Sequence, residues 1–180
     1  MSDTTFLVGD EVILRPLEAD DLEFCRDWVN DPQVRTSLGI GEPINLKQEE
    51  EWFEKQVCDK DSSAIHLAIE VDDEPVGVIN THYIDGRHGN TILGCWLAPA
   101  FHGQGYGTDA TRTFIDYLFE EQRLGAVRAE AFEFNEKSRA LLESVGMEQV
   151  ATIPKWIFAR GEHHDTCVYV ITASQWREQR

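Results

Sequence analysis

Residues 90–121 read NTILGCWLAPAFHGQGYGTDATRTFIDYLFEE, and the order of the parts decides the architecture. The stretch opens with an apolar run of strand length, NTILGCWL (90–97). Further on, Ala110, Phe114, Ile115, Leu118 and Phe119 recur at helical spacing, which predicts a helix over 105–122. Between them, Gly103, Gly105 and Gly107 occupy alternate positions of a turn. Such a turn presents backbone N–H groups that the first helical turn leaves unpaired, and the helix dipole adds partial positive charge there. A phosphate or pyrophosphate is the natural occupant, because a Cβ at each glycine would hold its oxygens away from the amides. The GxGxG spacing is not a dinucleotide fingerprint, and without a following lysine it is not a Walker P-loop.

Working outward, AVRAEAFEF (126–134) reads as a strand, so strand, helix and strand form a crossover unit with the glycines at its first turn. Upstream, AIHLAIEV (64–71) and PVGVINTHYI (75–84) join NTILGCWL through the turn-like linkers 72–74 and 85–89, which predicts an antiparallel meander. EVILRPL (11–17) is a further strand. A helix over 19–29 is ended by Asn30-Asp31-Pro32, residues 33–46 read as loop, and a second helix spans 46–57. Downstream, a helix runs from Asn135 to Val145 and stops at Gly146, and strands over 147–158 and 164–172 pair as a hairpin. The expectation is one α/β domain over residues 1–180, a mixed, mostly antiparallel sheet of about seven strands with about four helices on its two faces.

The chain has 33 acidic and 16 basic residues, a formal net charge of -17. Recognition of nucleic acid through a basic surface is disfavoured. Lysine is scarce relative to arginine, which suits a halophile-like surface kept hydrated in concentrated salt; an ordinary acidic protein is the other reading. Either way, cationic partners are attracted at low salt. No apolar stretch reaches the roughly 20 residues of a membrane span and the N-terminus does not resemble a signal peptide, so a soluble, cytoplasmic protein with no membrane partner is expected. The four cysteines are far apart, implying reduced thiols, and His163-His164-Asp165 lacks further ligands at metal spacing, so no metal is expected.

His102-Gly103-Gln104-Gly105-Tyr106-Gly107 resembles the pyrophosphate-binding motif of the GCN5-related N-acetyltransferases, with His102 where that family has Gln or Arg. The stretch from Trp96 to Ala110, the N135-E-K-S138 segment leading to Gly146, the closing R160-G-E-H-H-D165 hairpin and the opening ILRPLEADDL are similar to the branch that acetylates N-termini of ribosomal proteins.

The resemblance implies acetyl-CoA as cosubstrate, its pantetheine arm lying between the strands 90–98 and 126–134. Backbone groups near Leu97 and Ala98 would meet the arm and the thioester oxygen. His102 and the backbone of Gly103, Gln104, Gly105, Tyr106, Gly107 and Thr108 would hold the pyrophosphate. Asn135 would meet the arm or simply cap its helix. Where many relatives carry a proton-donating tyrosine this chain has Leu142, so Ser138 becomes the candidate acid, unless it only bonds local backbone. Glu133, Asp165 and His164 are candidate bases, or else surface groups. A weak base suits an α-amine, with a pKa of about 7.7 to 8.0, better than a lysine near 10.4. The implied activity is acetyl transfer to a primary amine: a protein N-terminus first, then an antibiotic or polyamine, with a non-catalytic acyl-CoA sensor as the rival. A monomer or homodimer is expected. Trp28, Trp52, Phe53 and Trp156 either fill the core or line the acceptor pocket, with the core favoured.

Overall fold

The computed structural model describes residues 4–179. Its strands are β1 (Leu7–Val8), β2 (Ile13–Pro16), β3 (His66–Val71), β4 (Glu74–Asp85), β5 (Asn90–Leu97), β6 (Ala126–Phe132), β7 (Glu148–Ala159) and β8 (Glu162–Thr172). They form one sheet in the order β1-β2-β3-β4-β5-β6-β8-β7. Neighbours run antiparallel, except that β5 and β6 are parallel. The helices are α1 (Leu22–Val29), α2 (Pro32–Leu38), α3 (Leu46–Gln56), α4 (Tyr106–Glu120), α5 (Glu136–Ser144) and α6 (Ala173–Glu178).

The meander β3–β4–β5 and the crossover β5–α4–β6 are as the sequence predicts. Asp72 and Asp73 both adopt left-handed backbone, φ 51° and 63°, the conformation of a tight type I′ hairpin turn. Ala110, Phe114, Ile115, Leu118 and Phe119 are all buried, and α4 lays them on the sheet against Leu93, Val127, Ala129 and Ile171. Each large apolar side chain buried this way contributes about 1.5–3 kcal/mol. On the opposite face, Leu22 and Cys25 of α1 and Phe53 of α3 pack over Ala68 and Val78.

Three elements differ from expectation. Strand β1 is two residues long, too short to give an alternating pattern. Residues 32–38, read as loop, form α2: Asp31 accepts from the N–H groups of Gln33 and Val34, Pro32 occupies the first turn, and Gly39 closes the helix at φ 71°. The Asp-Pro pair that ends α1 therefore also starts α2, since proline needs no N–H partner at a helix start. The C-terminal α6 is opened by Thr172 and Gln175, which cap each other's backbone N–H groups.

Candidate active site

The pairing of β5 with β6 runs from Asn90–Ala126 to Leu93–Ala129 and stops there. Both strands continue: β5 stays on β4 as far as Leu97, and β6 stays on β8 as far as Phe132. A gap therefore opens inside the sheet between Gly94–Leu97 and 130–132. The Ala98 N–H donates to Val76 O (2.8 Å), so antiparallel alternation turns the backbone groups of Cys95 and Leu97 away from β4 and into the gap. Ala98 itself is turned out of it, because its carbonyl also accepts from Phe101 N (2.9 Å). Of the two positions named from the sequence, Leu97 turns its backbone into the gap and Ala98 does not, and Cys95 is the other inward-facing position.

The glycine turn lies at the gap's end. Gly103 (φ 76°) and Gly105 (φ 90°) take left-handed backbone, which costs another residue about 1–2 kcal/mol, and the space where a Cβ would stand is open at both. Gly107 has a different reason: a Cβ there would lie 2.8 Å from Leu141 Cδ1 and 3.3 Å from Leu97 Cδ1, so it lets α4 pack closely on α5 and β5. The intrahelical ladder begins with Asp109 N donating to Gly105 O, and no side chain caps the start of α4. The amides of the first turn are left for a ligand. Gln104 Nε2 donates to Ala100 O, Tyr106 packs on the core, and Thr108 Oγ1 lies 3.4 Å from Ser144 Oγ. An anion-binding turn that opens onto a slot in the sheet fits a pyrophosphate carrying a long, amide-bearing arm, which is the shape of coenzyme A.

Two residues here have roles that sequence reasoning did not supply. His102 Nε2 lies 3.0 Å from Leu97 O, so that nitrogen carries the proton and donates, leaving Nδ1 to face Lys137 Nζ at 3.5 Å. His102 therefore ties the end of β5 to the first turn of α5 across the slot's mouth. Asp109 accepts from the N–H groups of Asp10 (3.1 Å), Glu11 (2.7 Å) and Val12 (3.0 Å). This clamps the β1–β2 turn onto α4 and directs the carboxylate charge away from the glycine turn.

On α5, Asn135 Oδ1 accepts from Ser138 N (3.2 Å), so it caps the helix. Ser138 is half-buried in that first turn, and Leu142 one turn on is buried in the core. Glu133 Oε1 lies 3.1 Å from His164 Nδ1, and His164 Nε2 donates to Ala159 O at 3.1 Å. Asp165 Oδ1 accepts from the N–H of Lys155, a left-handed residue (φ 51°) in the irregular stretch of β7. The structure thus draws the Glu133 and Asp165 carboxylates onto the β7–β8 hairpin, and neither hydrogen-bonds to Ser138. Burial pushes the Cys95 thiol up to about 12, so it is protonated at neutral pH and no thiolate nucleophile stands at the gap.

The sheet face under α1–α3 is open beside the gap. Along β6, Val127, Ala129 and Ala131 are buried beneath α4 and α5, while Ala126, Arg128, Glu130 and Phe132 are half-exposed on the other side. Trp96 stacks on Phe24 of α1 (centroids 5.8 Å, planes at 17°), and Trp28 meets the same ring edge-on. The end of α2 reaches across the floor: a Cβ on Gly39 would lie 2.9 Å from Ile157 Cδ1 and 3.2 Å from Phe132 Cζ. An aromatic-walled groove results. Phe53 is buried and Trp52 packs beside it, as expected, but Trp156 is 67% exposed. The register shift between Ile153 and Ile157 lifts Pro154, Lys155 and Trp156 off the sheet. Among the described residues no helix is long and apolar enough to cross a membrane.

The family model described as the acetyltransferase (GNAT) domain matches residues 11–148. The chain is 28% identical over 181 residues to the putative ribosomal N-acetyltransferase YdaF of Bacillus subtilis (strain 168), covering 98% of this chain and 99% of that protein. Its fold is similar to that of the spermidine N-acetyltransferase from Vibrio cholerae in complex with CoA and spermine, with a TM-score of 0.86 and 21% identity over 94% of this chain and 99% of that one. It is likewise similar to the microcin C7 self-immunity acetyltransferase MccE in complex with acetyl-CoA and AMP (TM-score 0.81, 20% identity, 95% and 97% covered). With the split parallel pair, the uncapped glycine turn and a family match across most of its length, the chain belongs to the GNAT acetyltransferases, enzymes that use acetyl-CoA to acetylate an amine.

Proposed function

We propose that the acceptor is a protein N-terminal α-amine, of the kind found on ribosomal proteins. The observation that carries this reading is the form of the groove. Along its β6 floor the four alternate residues Ala126, Arg128, Glu130 and Phe132 are half-exposed, a length of about 20 Å that suits an extended peptide entering amine-first. The likeness to a putative ribosomal N-acetyltransferase over nearly the whole chain supports the same class. So does the placement of Glu133 and Asp165, since an α-amine is partly neutral near pH 7 and needs only a weak base.

In this reading the outward-facing amides of α4, with Gly103, Gly105 and the His102–Lys137 tie, hold the cosubstrate's pyrophosphate. Leu97 and Cys95 offer backbone groups to the arm, and Asn135 fixes the start of α5 beside it. Acetyl-CoA supplies an activated acyl group whose carbonyl develops negative charge during transfer, and backbone N–H groups facing the gap are suited to stabilise it. Ser138 donates the proton to the leaving sulfur. Glu133 and Asp165 fix the hairpin wall of the groove.

A second reading, a polyamine acceptor, is favoured by the net charge of -17, which draws polycations. Thiol release from acetyl-CoA would separate the two, measured with hexapeptides beginning in Ser, Ala or Thr, with spermidine, and with an internal lysine peptide. The expected order in kcat/KM is N-terminal peptide first and internal lysine last. Spermidine exceeding every peptide would establish the polyamine reading. Tight acetyl-CoA binding without thiol release for any amine would mark a sensor.

A further inference from the structure

Gly94 is the first residue of β5 past its last partner on β6, on the sheet face that carries the acceptor groove. Two side chains of β4 converge on the space its missing side chain leaves: Asn80 Oδ1 lies 2.9 Å, and His82 Nε2 3.3 Å, from where a Cβ would stand. Among the described residues neither atom has a hydrogen-bond partner. Behind them on β3, His66 lies opposite Asn80, and both its ring nitrogens are buried without a partner. Its ring meets Trp52 edge-on at 5.1 Å. Buried polar groups in folded proteins are nearly always paired, with protein or with a solute. Here the His66 ring is buried without a hydrogen-bond partner, and beside it the half-buried Asn80 and the exposed His82 close over Gly94 so tightly that a Cβ there would displace them. The next residue, Cys95, turns its backbone into the gap about 3.3 Å along the strand, so Asn80 and His82 stand beside the gap.

We propose that Asn80 and His82, meeting over Gly94 beside the gap, seat the acceptor amine: Asn80 Oδ1 accepts a hydrogen bond from the amine N–H, and His82 Nε2 takes the proton released when the amine is acylated. The assignment rests on acetyl transfer taking place at the β5–β6 gap. The amine nitrogen bonds to the acetyl carbonyl carbon as the carbon–sulfur bond breaks. The nitrogen's proton passes to His82 Nε2, and Ser138 Oγ gives a proton to the sulfur and is reprotonated from solvent. His82 is itself exposed, so its proton has an exit to solvent other than the gap. Gly94 is required because any side chain there would push Asn80 and His82 away.

The test compares His82→Gln, Asn80→Ala and Gly94→Ala with the wild type. The amine is a Ser-initiated hexapeptide or spermidine, whichever the wild-type enzyme turns over faster. Calorimetry measures acetyl-CoA affinity, and separately amine affinity for the protein saturated with CoA, a readout that requires no turnover. His82→Gln should lower kcat by about 100-fold or more with amine affinity little changed, the range expected for loss of a general base. Asn80→Ala and Gly94→Ala should weaken amine binding by about 10-fold or more, the loss expected when the group that accepts from the amine is removed or displaced. His82→Gln and Asn80→Ala should leave acetyl-CoA affinity within about twofold, since both lie on β4, off the cosubstrate's path. His82 is exposed, so its replacement tests the chemistry without threatening the fold. Wild-type kcat in His82→Gln together with wild-type amine affinity in Gly94→Ala would overturn the proposal. If the wild-type protein itself acetylates no amine, it is the acetyl-transfer reading that has failed, and the proposal falls with it.

Discussion

Gly105 is the residue that precedes α4 and Ser138 lies in the first turn of α5, at the mouth of the gap, and they can be tested separately. Replacing Ser138 by alanine should reduce kcat by about 10- to 100-fold while acetyl-CoA affinity stays the same, because the hydroxyl acts on the leaving group and not on the bound arm. An unchanged kcat would reduce Ser138 to a first-turn serine bonding locally. Gly105→Ala should have the opposite profile. The φ of 90° is strained for alanine, so stability falls by about 1 kcal/mol, and acetyl-CoA affinity falls as the first-turn amides shift. Thermal unfolding and calorimetry on the same variant check both. Sequence reasoning reached these two positions and, by matching a motif, His102. It could not reach the tie from His102 to Leu97 O, since that bond depends on where a loop folds back on its own strand.

Helix α2 and strand β3 carry the element-scale predictions. Asp31→Ala removes the carboxylate that caps α2 and should cost about 1 kcal/mol in denaturant unfolding. Because Gly39 at the helix end touches Ile157 and Phe132, the same change should also weaken acceptor binding without altering acetyl-CoA affinity. On β3, burial, and then the neighbouring His82, lowers the pKa of His66 from 6.5 to about 4. Between those values the unfolded chain binds the proton and the folded chain does not. The contribution of this residue is therefore complete above about pH 6.5 and declines as pH falls toward about 4. His66→Gln should flatten that part of the stability profile, measured by urea unfolding from pH 4 to 7. The helix α2 was written in the sequence as Asp-Pro followed by a later glycine. It was missed because proline after a helix reads equally well as a stop.

For the whole molecule, charge is the dominant feature. With 33 acidic and 16 basic residues, self-repulsion opposes the compact state and is screened over about 8 Å at physiological ionic strength and about 3 Å at 1 M. Stability should therefore rise between 0.1 and about 2 M KCl, and the KM for a cationic amine should rise over the same range as attraction to the surface is screened. Circular dichroism melts and initial rates across a salt series check both; a melting temperature independent of salt would show that local pairing already offsets the excess charge.

Local pattern in the sequence was enough to determine the meander, the crossover, the glycine turn and the charge. Each depends on residues near one another in the chain: period-two and period-3.6 burial, turn glycines, and simple counting. The splitting of β5 from β6, the closing of the groove by Gly39 on Ile157, and the meeting of Asn80, His82 and Gly94 were decided only by tertiary structure. Those contacts join residues far apart in sequence, and it is the packing of helices on both faces of the sheet that sets where two strands separate and which unpartnered side chains then line the opening.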